Sequence, residues 1–189
     1  NAFVTKEEID ANEAVYPLDL FFCNDCCHIQ LGHVVDPKIL YQRNYSYVTS
    51  TSPVSVKHFE SFCDQMVNAF KLDSSSFVID IGSNDGTCLS FFQNKNIKVL
   101  GVDPATHIAE SASARGIPTI PDFFSSKLAS EIVQEYGYAD LITSHNVCAH
   151  IDNLDDVMSG VQSILKRDGI FVMEVGYFLD VYSNKWFDT

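Results

Sequence analysis

The stretch VIDIGSNDGT, residues 78–87, decides how the rest of the chain is interpreted. Apolar, β-branched residues lead into a loop framed by Gly82 and Gly86, a pattern typical of a buried strand that turns sharply into a ligand-binding loop. A nicotinamide dinucleotide fingerprint would read G-x-G-x-x-G, and the middle glycine is absent here. The stretch therefore predicts a strand, a ligand-binding loop and a helix, without a dinucleotide fingerprint.

The charges of this loop restrict its ligand. Asp80 and Asp85 lie at its two ends, and carboxylates would repel a pyrophosphate, which prefers bare amides at a helix N-terminus. A cationic or zwitterionic ligand without phosphate is expected instead. S-adenosylmethionine has these properties, because it carries a sulfonium, an ammonium group and a ribose diol. The Walker lysine pattern is also absent, which counts against ATP.

Strand-like and helix-like stretches alternate from residue 76 onward. This alternation predicts βαβ units in an α/β, Rossmann-like domain, with a parallel sheet covered by helices on both faces. The ligand site of such a sheet lies at the carboxyl ends of its strands. Strands are predicted at 77–81, 98–102, 118–120, 140–144 and 169–175, and helices at about 86–94, 105–115, 124–136 and 153–166.

A further helix is predicted upstream of the sheet. Ser52 is a suitable N-cap, Pro53 suits the first helical position, and apolar residues follow at helical spacing. The apolar face of this helix comprises Phe59, Phe62, Cys63, Met66 and Phe70. The chain is thus divided into an N-terminal subdomain that contains cysteines and begins with an extended arm over 1–16, a linking helix, and a cofactor-binding domain. The predicted subdomain with the cysteines covers 1–50, the linking helix covers 51–72, and the cofactor-binding domain covers 73–189.

Polar side chains follow the other predicted strands. Asp103 ends the second strand, 21 residues beyond Gly82, where a carboxylate can bind both hydroxyls of a ribose. After the third strand, Asp122 and Phe123 suit an adenine, and they suit a helix cap beside core phenylalanines equally well. The cofactor pocket is assigned to residues that end these strands or line the glycine loop: Asp80, Gly82, Ser83, Asn84, Asp103, Pro104, Asp122, Phe123 and Asn146.

The fourth strand is followed by two further polar residues, Asn146 and His150. They share one face if the chain turns helical there. A histidine is more often a packed or solvent-exposed residue, but its place beyond a strand's carboxyl end makes His150 a catalytic candidate.

Composition excludes several partners. The net charge is −13 and no cluster of Lys or Arg occurs, so neither a nucleic acid nor an anionic membrane surface is an expected partner. No apolar run is long enough to span a membrane, and the first 16 residues lack a signal-peptide core. Six cysteines without a secretory signal predict reduced thiols and a cytoplasmic location. Because the first residue is not Met, we expect a piece of a longer protein.

Several motifs, in order, give the chain a family resemblance. YPLDLFFCNDCCHIQLGHVVDP, NYSYVTSTSP, VIDIGSNDGT, VLGVDPA, ARGIPTIPDFF, HNVCAHIDNL and VMEVGYFLD with FDT together resemble the zinc-associated sugar C-methyltransferases of bacterial deoxysugar biosynthesis. The resemblance runs from about residue 16 to the last. It implies a class I methyltransferase fold and transfer of a methyl group from S-adenosylmethionine to a carbon.

The resemblance also implies a substrate and residue roles. The acceptor would be a nucleotide-linked 4-keto-deoxysugar, whose α-proton is removed by a base before the enediolate attacks the methyl. Tyr45, Asn146 and His150 match positions that line the active site of the family. Matches to its cofactor pocket are Gly82, Asp103, Asp122 and Phe123.

Two departures from the family pattern affect these expectations. The family holds zinc with two cysteine pairs, whereas here only Cys23 and Cys26 form such a pair. The resemblance therefore implies at most half a zinc site, unless Cys27, His28 or His33 substitutes. The family also continues after FDT with a Tyr-His-Glu-His segment that supplies the base, which implies that the base and the last strands of the sheet lie beyond Thr189.

The residues leave other functions open. The fold also suits a methyltransferase for another small molecule, a non-catalytic S-adenosylmethionine-binding module, or a nicotinamide-dependent oxidoreductase or epimerase. A last alternative is an α/β domain whose strand ends are only capped turns. The missing glycine and the acidic loop count against the nicotinamide enzyme, and calorimetry with both cofactors would separate it from the rest.

Overall fold

The computed structural model describes residues 4, 6–12, 14–42 and 45–186. The chain forms two compact units, Tyr47–Val175 and a second unit that combines Asn1–Ser46 with Gly176–Thr189. The FDT motif at 187–189 lies outside the described residues. An extended arm was expected over residues 1–16. Of the residues in this range that the structure describes, 6–10 form turns, so the prediction is wrong there.

A five-stranded parallel sheet forms the centre of the unit Tyr47–Val175. The first strand of this unit, β3, lies in the middle, and the strand order is β5-β4-β3-β6-β7. The order reverses between β3 and β6, which is where doubly wound sheets bind their ligands. The strands are β3 Phe77–Ile81, β4 Lys98–Val102, β5 Thr119–Ile120, β6 Ala139–His145 and β7 Leu165–Glu174.

Five helices cover the two faces of this sheet, because parallel strands need crossover connections. Apolar residues of α4 and α5 pack on one face, and those of α1, α2 and α3 pack on the other. This confirms the predicted Rossmann-like architecture. The helices are α1 Pro53–Phe70, α2 Thr87–Gln93, α3 Thr106–Ala114, α4 Ser126–Tyr136 and α5 Leu154–Ile164.

The helix α1 begins as its sequence predicts. Ser55 donates its backbone N–H to the hydroxyl of Ser52, at 3.2 Å, and Pro53 occupies the first turn. Cys63 is fully buried, and the other residues of the predicted apolar face pack around the same core cluster. The predicted linking helix lies within the compact unit Tyr47–Val175, and its apolar face belongs to the core of that unit.

The second unit is small. Its hairpin pairs β1, Leu20–Phe22, with β2, Ile29–Leu31, in antiparallel register, and Lys38–Gln42 forms a π-helical segment. The helix α6, Phe178–Asn184, belongs to the same unit. Among the helices of the described residues, none is long and apolar enough for a membrane span.

Candidate functional site

The loop after β3 approaches the neighbouring strand closely. Gly82 has φ +74°, and its N–H donates to the carbonyl of Val102, at 2.8 Å. A Cβ on Gly82 would lie 2.2 Å from Cγ2 of Val147. Only glycine satisfies both the left-handed backbone and this close approach, so the sequence signal at this position has a direct structural reason.

A buried carboxylate, that of Asp103, lies against this loop at the end of β4. Its Oδ2 accepts the backbone N–H of Asn84 at 2.8 Å, and its Oδ1 accepts that of Ala105 at 2.9 Å. Burial raises the pKa of Asp103, while these two hydrogen bonds act in the opposite direction. Because a carboxylate accepts about four hydrogen bonds, both oxygens retain capacity for the hydroxyls of a ligand.

A second polar group of the loop lacks a partner. Ser83 is 4% exposed, and its hydroxyl has no hydrogen bond within the described residues. Buried polar groups are almost always satisfied by protein, water or a ligand. The glycine turn, the carboxylate of Asp103 and this hydroxyl therefore fit a small polar cofactor.

The carboxyl groups of Asp80 and Asp85 are both paired within the protein. The sequence-based expectation of two free negative charges at this loop is therefore wrong. Asp80 is buried and accepts the hydroxyl of Thr143 at 2.8 Å, and burial raises the pKa of Asp80 to about 7. Asp85 accepts the hydroxyl of Thr87 at 2.7 Å, and its Oδ2 lies 3.7 Å from Nη2 of Arg115. Repulsion of a phosphate by this loop is thus weaker than the sequence suggests.

Asn84 connects the loop to the segment before α1. Its Oδ1 accepts from both the N–H and the hydroxyl of Thr49, at 2.8 and 3.1 Å, and its Nδ2 donates to the carbonyl of Tyr47 at 2.9 Å. The side chain of Asn84 is therefore occupied within the protein. Its place in the predicted pocket rests on its backbone, which holds Asp103.

The loop after β5 carries the predicted adenine contacts. Asp122 is exposed, and its Oδ1 accepts the N–H of Phe123 at 2.8 Å. Phe123 is half-buried, whereas Phe124 belongs to the core. Pro104, beside Asp103, is also half-buried. Of the two phenylalanines, Phe123 is thus the more accessible to a ligand.

The loop after β6 carries two of the predicted catalytic residues. Asn146 has φ +56° and donates its N–H to the carbonyl of Glu174, at 2.7 Å, and its Nδ2 to Oε1 of Glu174, at 3.3 Å. His150 ends a single 3-10 turn, Cys148–His150, and is exposed, although neighbouring protein atoms desolvate its ring enough to lower its pKa. The third predicted catalytic residue, Tyr45, lies in the other unit, where its ring meets that of Tyr41 edge-on.

A cluster of two histidines and a glutamate lies beside Asn146, and the sequence motifs do not predict it. His58 of α1, His145 at the end of β6 and Glu174 at the end of β7 direct their side chains towards one another. His145 directly follows a predicted strand, which was a usable signal. His58 is separated from it by 87 positions, so only the fold brings the two together.

The predicted zinc ligands lie on the exposed turn of the β1–β2 hairpin. The N–H of Cys27 donates to the carbonyl of Cys23, and hydrogen bonds from Cys26 and Asp25 lower the pKa of the Cys23 thiol. Amides that point at a sulfur favour the thiolate, which is the form that binds a metal. The turn thus fits half a zinc site, and within the described residues no third ligand joins Cys23 and Cys26.

Two families match the sequence. The one described as "Putative zinc binding domain" matches residues 1–41, and the one described as "Methyltransferase domain" matches residues 56–189. The chain is 35% identical to C-methyltransferase NovU of Streptomyces niveus over 184 residues, which cover 97% of this chain and 44% of NovU. It spans about half the length of the curated relatives that it matches.

Solved structures share the fold. An S-adenosylmethionine-dependent methyltransferase from Archaeoglobus fulgidus has a TM-score of 0.57 at 18% identity, over 69% of this chain and 57% of that one. The plantazolicin methyltransferase BpumL, solved with S-adenosylhomocysteine, has a TM-score of 0.57 at 14% identity, over 74% of this chain and 54% of that one. At these identities the similarity concerns the fold.

Proposed function

The chain belongs to the methyltransferase domain family, and from this premise we propose that it is an S-adenosylmethionine-dependent C-methyltransferase. Its sheet has the class I fold of such enzymes. Transfer to carbon is supported by the similarity to a protein named as a C-methyltransferase. The proposed acceptor, from the family resemblance, is a nucleotide-linked keto-deoxysugar.

The observation that carries this proposal is the buried carboxylate of Asp103 beside the glycine turn. Both of its oxygens are oriented by backbone amides and retain lone pairs, which suits the two hydroxyls of the cofactor's ribose. Ser83 supplies a further hydroxyl, and Gly82 allows the backbone to approach the ligand. Phe123 and Asp122 would contact the adenine.

The chemistry of the acceptor would be directed by the loop after β6. When bound, S-adenosylmethionine supplies an electrophilic methyl group on a sulfonium. The carbon nucleophile arises when a base removes the proton α to the ketone; its electron pair forms the new C–C bond, and the electrons of the broken C–S bond remain on sulfur. We assign Asn146 and His150 to orienting the acceptor, because in the family that this chain resembles a histidine of the Tyr-His-Glu-His segment removes the proton. By the same resemblance, Tyr45 matches a position that lines the active site of the family.

The cofactor assignment is tested by Asp103→Asn. This change removes the charge but keeps the shape, and it should weaken the binding of S-adenosylhomocysteine by about 2 kcal/mol, or roughly 30-fold. Calorimetry measures this, with Asp168→Asn as the control, because Asp168 is an exposed acid near the start of β7, away from the carboxyl ends of the strands. Equal affinity of Asp103→Asn and the unmodified chain would remove Asp103 from the site, and tight binding of NAD would favour the oxidoreductase instead.

The transfer step needs its own measurement. The chain is incubated with S-adenosylmethionine labelled in the methyl group and with a nucleotide-linked keto-deoxysugar in deuterated water. We expect binding without exchange of the α-proton in the 189-residue chain. Exchange and methyl transfer that His150→Gln abolishes would instead assign the base to His150.

A further inference from the structure

We propose that His58, His145 and Glu174 form a binding site for a divalent transition-metal ion. One ligand atom from each side chain lies within 4.8 Å of the other two. The residues come from three elements, α1, β6 and β7, which the fold brings together at the carboxyl edge of the sheet. This site shares no residue with the cysteine turn of the hairpin and does not depend on the proposed methyl transfer.

The distances are close to those of a coordination sphere. Nε2 of His58 lies 2.8 Å from Oε2 of Glu174, and Nδ1 of His145 lies 3.8 Å from the same oxygen. Around a zinc ion with bonds of about 2 Å, tetrahedral ligand atoms are roughly 3.3 Å apart. The two histidine nitrogens lie within 4.8 Å of each other, so adjustments of up to about 1.5 Å in the separations between ligand atoms would place all three ligands on one ion.

His145 gives the independent indication of a ligand. Its side chain is 6% exposed, and Nδ1 has no hydrogen-bond partner within the described residues. The rings of Phe59 and Phe62 meet the imidazole edge-on at 4.9 and 4.7 Å and hold its orientation. An ion pair between His58 and Glu174 would satisfy those two residues but would leave this buried nitrogen unsatisfied.

The second ring nitrogen of His145 supports the same assignment. Nε2 lies 3.9 Å from Sγ of Cys88, a sulfur contact within hydrogen-bond range. With the proton on Nε2, the lone pair of Nδ1 faces the carboxylate of Glu174. In that tautomer two electron-rich atoms face each other at 3.8 Å, and a metal cation between them would satisfy both. Metal-binding histidines commonly use the second nitrogen in this way to fix the tautomer.

The carboxylate is also held in place. Asn146 donates through Nδ2 to Oε1 of Glu174 at 3.3 Å, which leaves Oε2 directed at the two histidines. Hydrogen bonds of this kind orient metal-binding carboxylates. Two imidazoles and one carboxylate suit Zn²⁺, Co²⁺, Ni²⁺ or Fe²⁺ rather than Mg²⁺ or Ca²⁺.

The site has room for a further ligand. His58 is 48% exposed and Glu174 is 41% exposed, so an ion reaches them from solvent. Three protein ligands leave at least one coordination position, which in metalloenzymes holds water or an oxygen of a bound molecule. Asn146, which donates to Glu174, is also assigned to orienting the proposed acceptor, so the two proposed sites share this neighbour.

The test uses the full chain with Cys23→Ser, Cys26→Ser and Cys27→Ser, which removes the thiols of the hairpin. After treatment with a chelator, Co²⁺ is titrated by visible absorption and Zn²⁺ by calorimetry. We expect one ion per chain, without a thiolate-to-cobalt charge-transfer band. His58→Gln and Glu174→Gln should each weaken binding at least about tenfold.

Two controls make this result specific. His107→Gln makes the same chemical change at an exposed histidine of α3 and should leave metal affinity unchanged. Because His58 is exposed, His58→Gln tests the site without disturbing the core. His145 is buried, so His145→Gln is measured together with circular dichroism, which verifies that the variant folds. Absence of binding in the serine background, or equal binding by His58→Gln and Glu174→Gln, would overturn the proposal.

Discussion

Single residues at the carboxyl edge of the sheet show how burial changes the meaning of a sequence motif. Asp80 looks like a free charge in VIDIGSNDGT, yet it is 3% exposed and accepts a hydrogen bond from the hydroxyl of Thr143. The short apolar run predicts the strand but carries no information on the partner of the one acid within it. That partner comes from β6, 63 positions away.

The raised pKa of Asp80 has a consequence for stability. Its folded-state pKa is about 7, far above the usual value, so between about pH 4 and pH 7 the folded state binds more protons at this site than the unfolded state. The contribution of Asp80 to the free energy of unfolding therefore falls as pH rises through this window. At pH 8 the buried charge costs of the order of 4 kcal/mol.

Asp80→Asn removes this cost and keeps an acceptor for Thr143. Without cofactor, we expect the variant to gain thermal stability relative to the unmodified chain as pH rises from 5 to 8, by several degrees. Scanning calorimetry of the two proteins measures the difference. Asp168→Asn, at an exposed acid, should show a difference that does not change with pH, and the same behaviour in Asp80→Asn would contradict the assignment.

At the scale of elements, the sequence predicts this fold well where the apolar period is clear. The strands at 77–81 and 98–102 have the predicted bounds, because each is a short apolar run limited by polar residues. The last helix and strand differ: α5 ends at Ile164, and β7 begins at Leu165 instead of residue 169. Charged residues 166–168 have no apolar period, and they lie in an irregularity of the β6–β7 pairing, between the pairs Ala139–Leu165 and Leu141–Ile170.

Sequence spacing could not show which elements meet. Asp103 and the glycine loop were predicted together because both follow neighbouring strands of a parallel sheet. His58 belongs to a helix that precedes the sheet, and its approach to Glu174 depends on how α1 packs. For the same reason the anchoring of Tyr47 and Thr49 by Asn84 has no signal in the sequence.

The loop after β3 gives a prediction at this scale. In Gly82→Ala the new Cβ would meet Val147 at 2.2 Å in addition to the strain of φ +74°. We expect a loss of at least about 2 kcal/mol in stability and of most cofactor affinity, because the loop must move away from Val147. Denaturant unfolding and calorimetry measure the two losses.

The variant Gly137→Ala separates the effect of backbone strain from that of the steric clash with Val147. Gly137 has φ +90° and ψ −170°, a backbone conformation that is nearly restricted to glycine, but a Cβ added there would meet nothing within 4 Å, so its variant should lose about 2 kcal/mol through strain alone and keep cofactor affinity. Adding Val147→Ala to Gly82→Ala should recover part of the loss. Equal effects of Gly82→Ala and Gly137→Ala would show that the close approach to Val147 is unimportant.

At the scale of the whole molecule, charge is the dominant feature. The chain has 25 acidic and 12 basic residues, a net charge of −13. Self-repulsion of this size destabilises a compact state, and salt screens it over about 10 Å at 0.1 M.

Thermal stability should therefore rise with salt. Between 20 and 200 mM sodium chloride we expect the Tm at pH 8 to increase by roughly 2–5 °C. Near the isoelectric point, about 4.6, the same salt step should have little effect. A Tm that is independent of salt at pH 8 would show that the negative charges are already compensated within the fold.

The amides that point at Cys23 also determine where the protein reacts with thiol reagents. Burial raises the pKa of Cys63 to about 11 and raises that of Cys88 further above its usual value, whereas Cys23 is exposed and its pKa is lowered. An alkylating probe at mildly acidic pH therefore modifies the hairpin turn first and spares the core. A fluorophore can thus be attached to the turn of the β1–β2 hairpin without mutation. A metal ion bound by Cys23 would block this attachment.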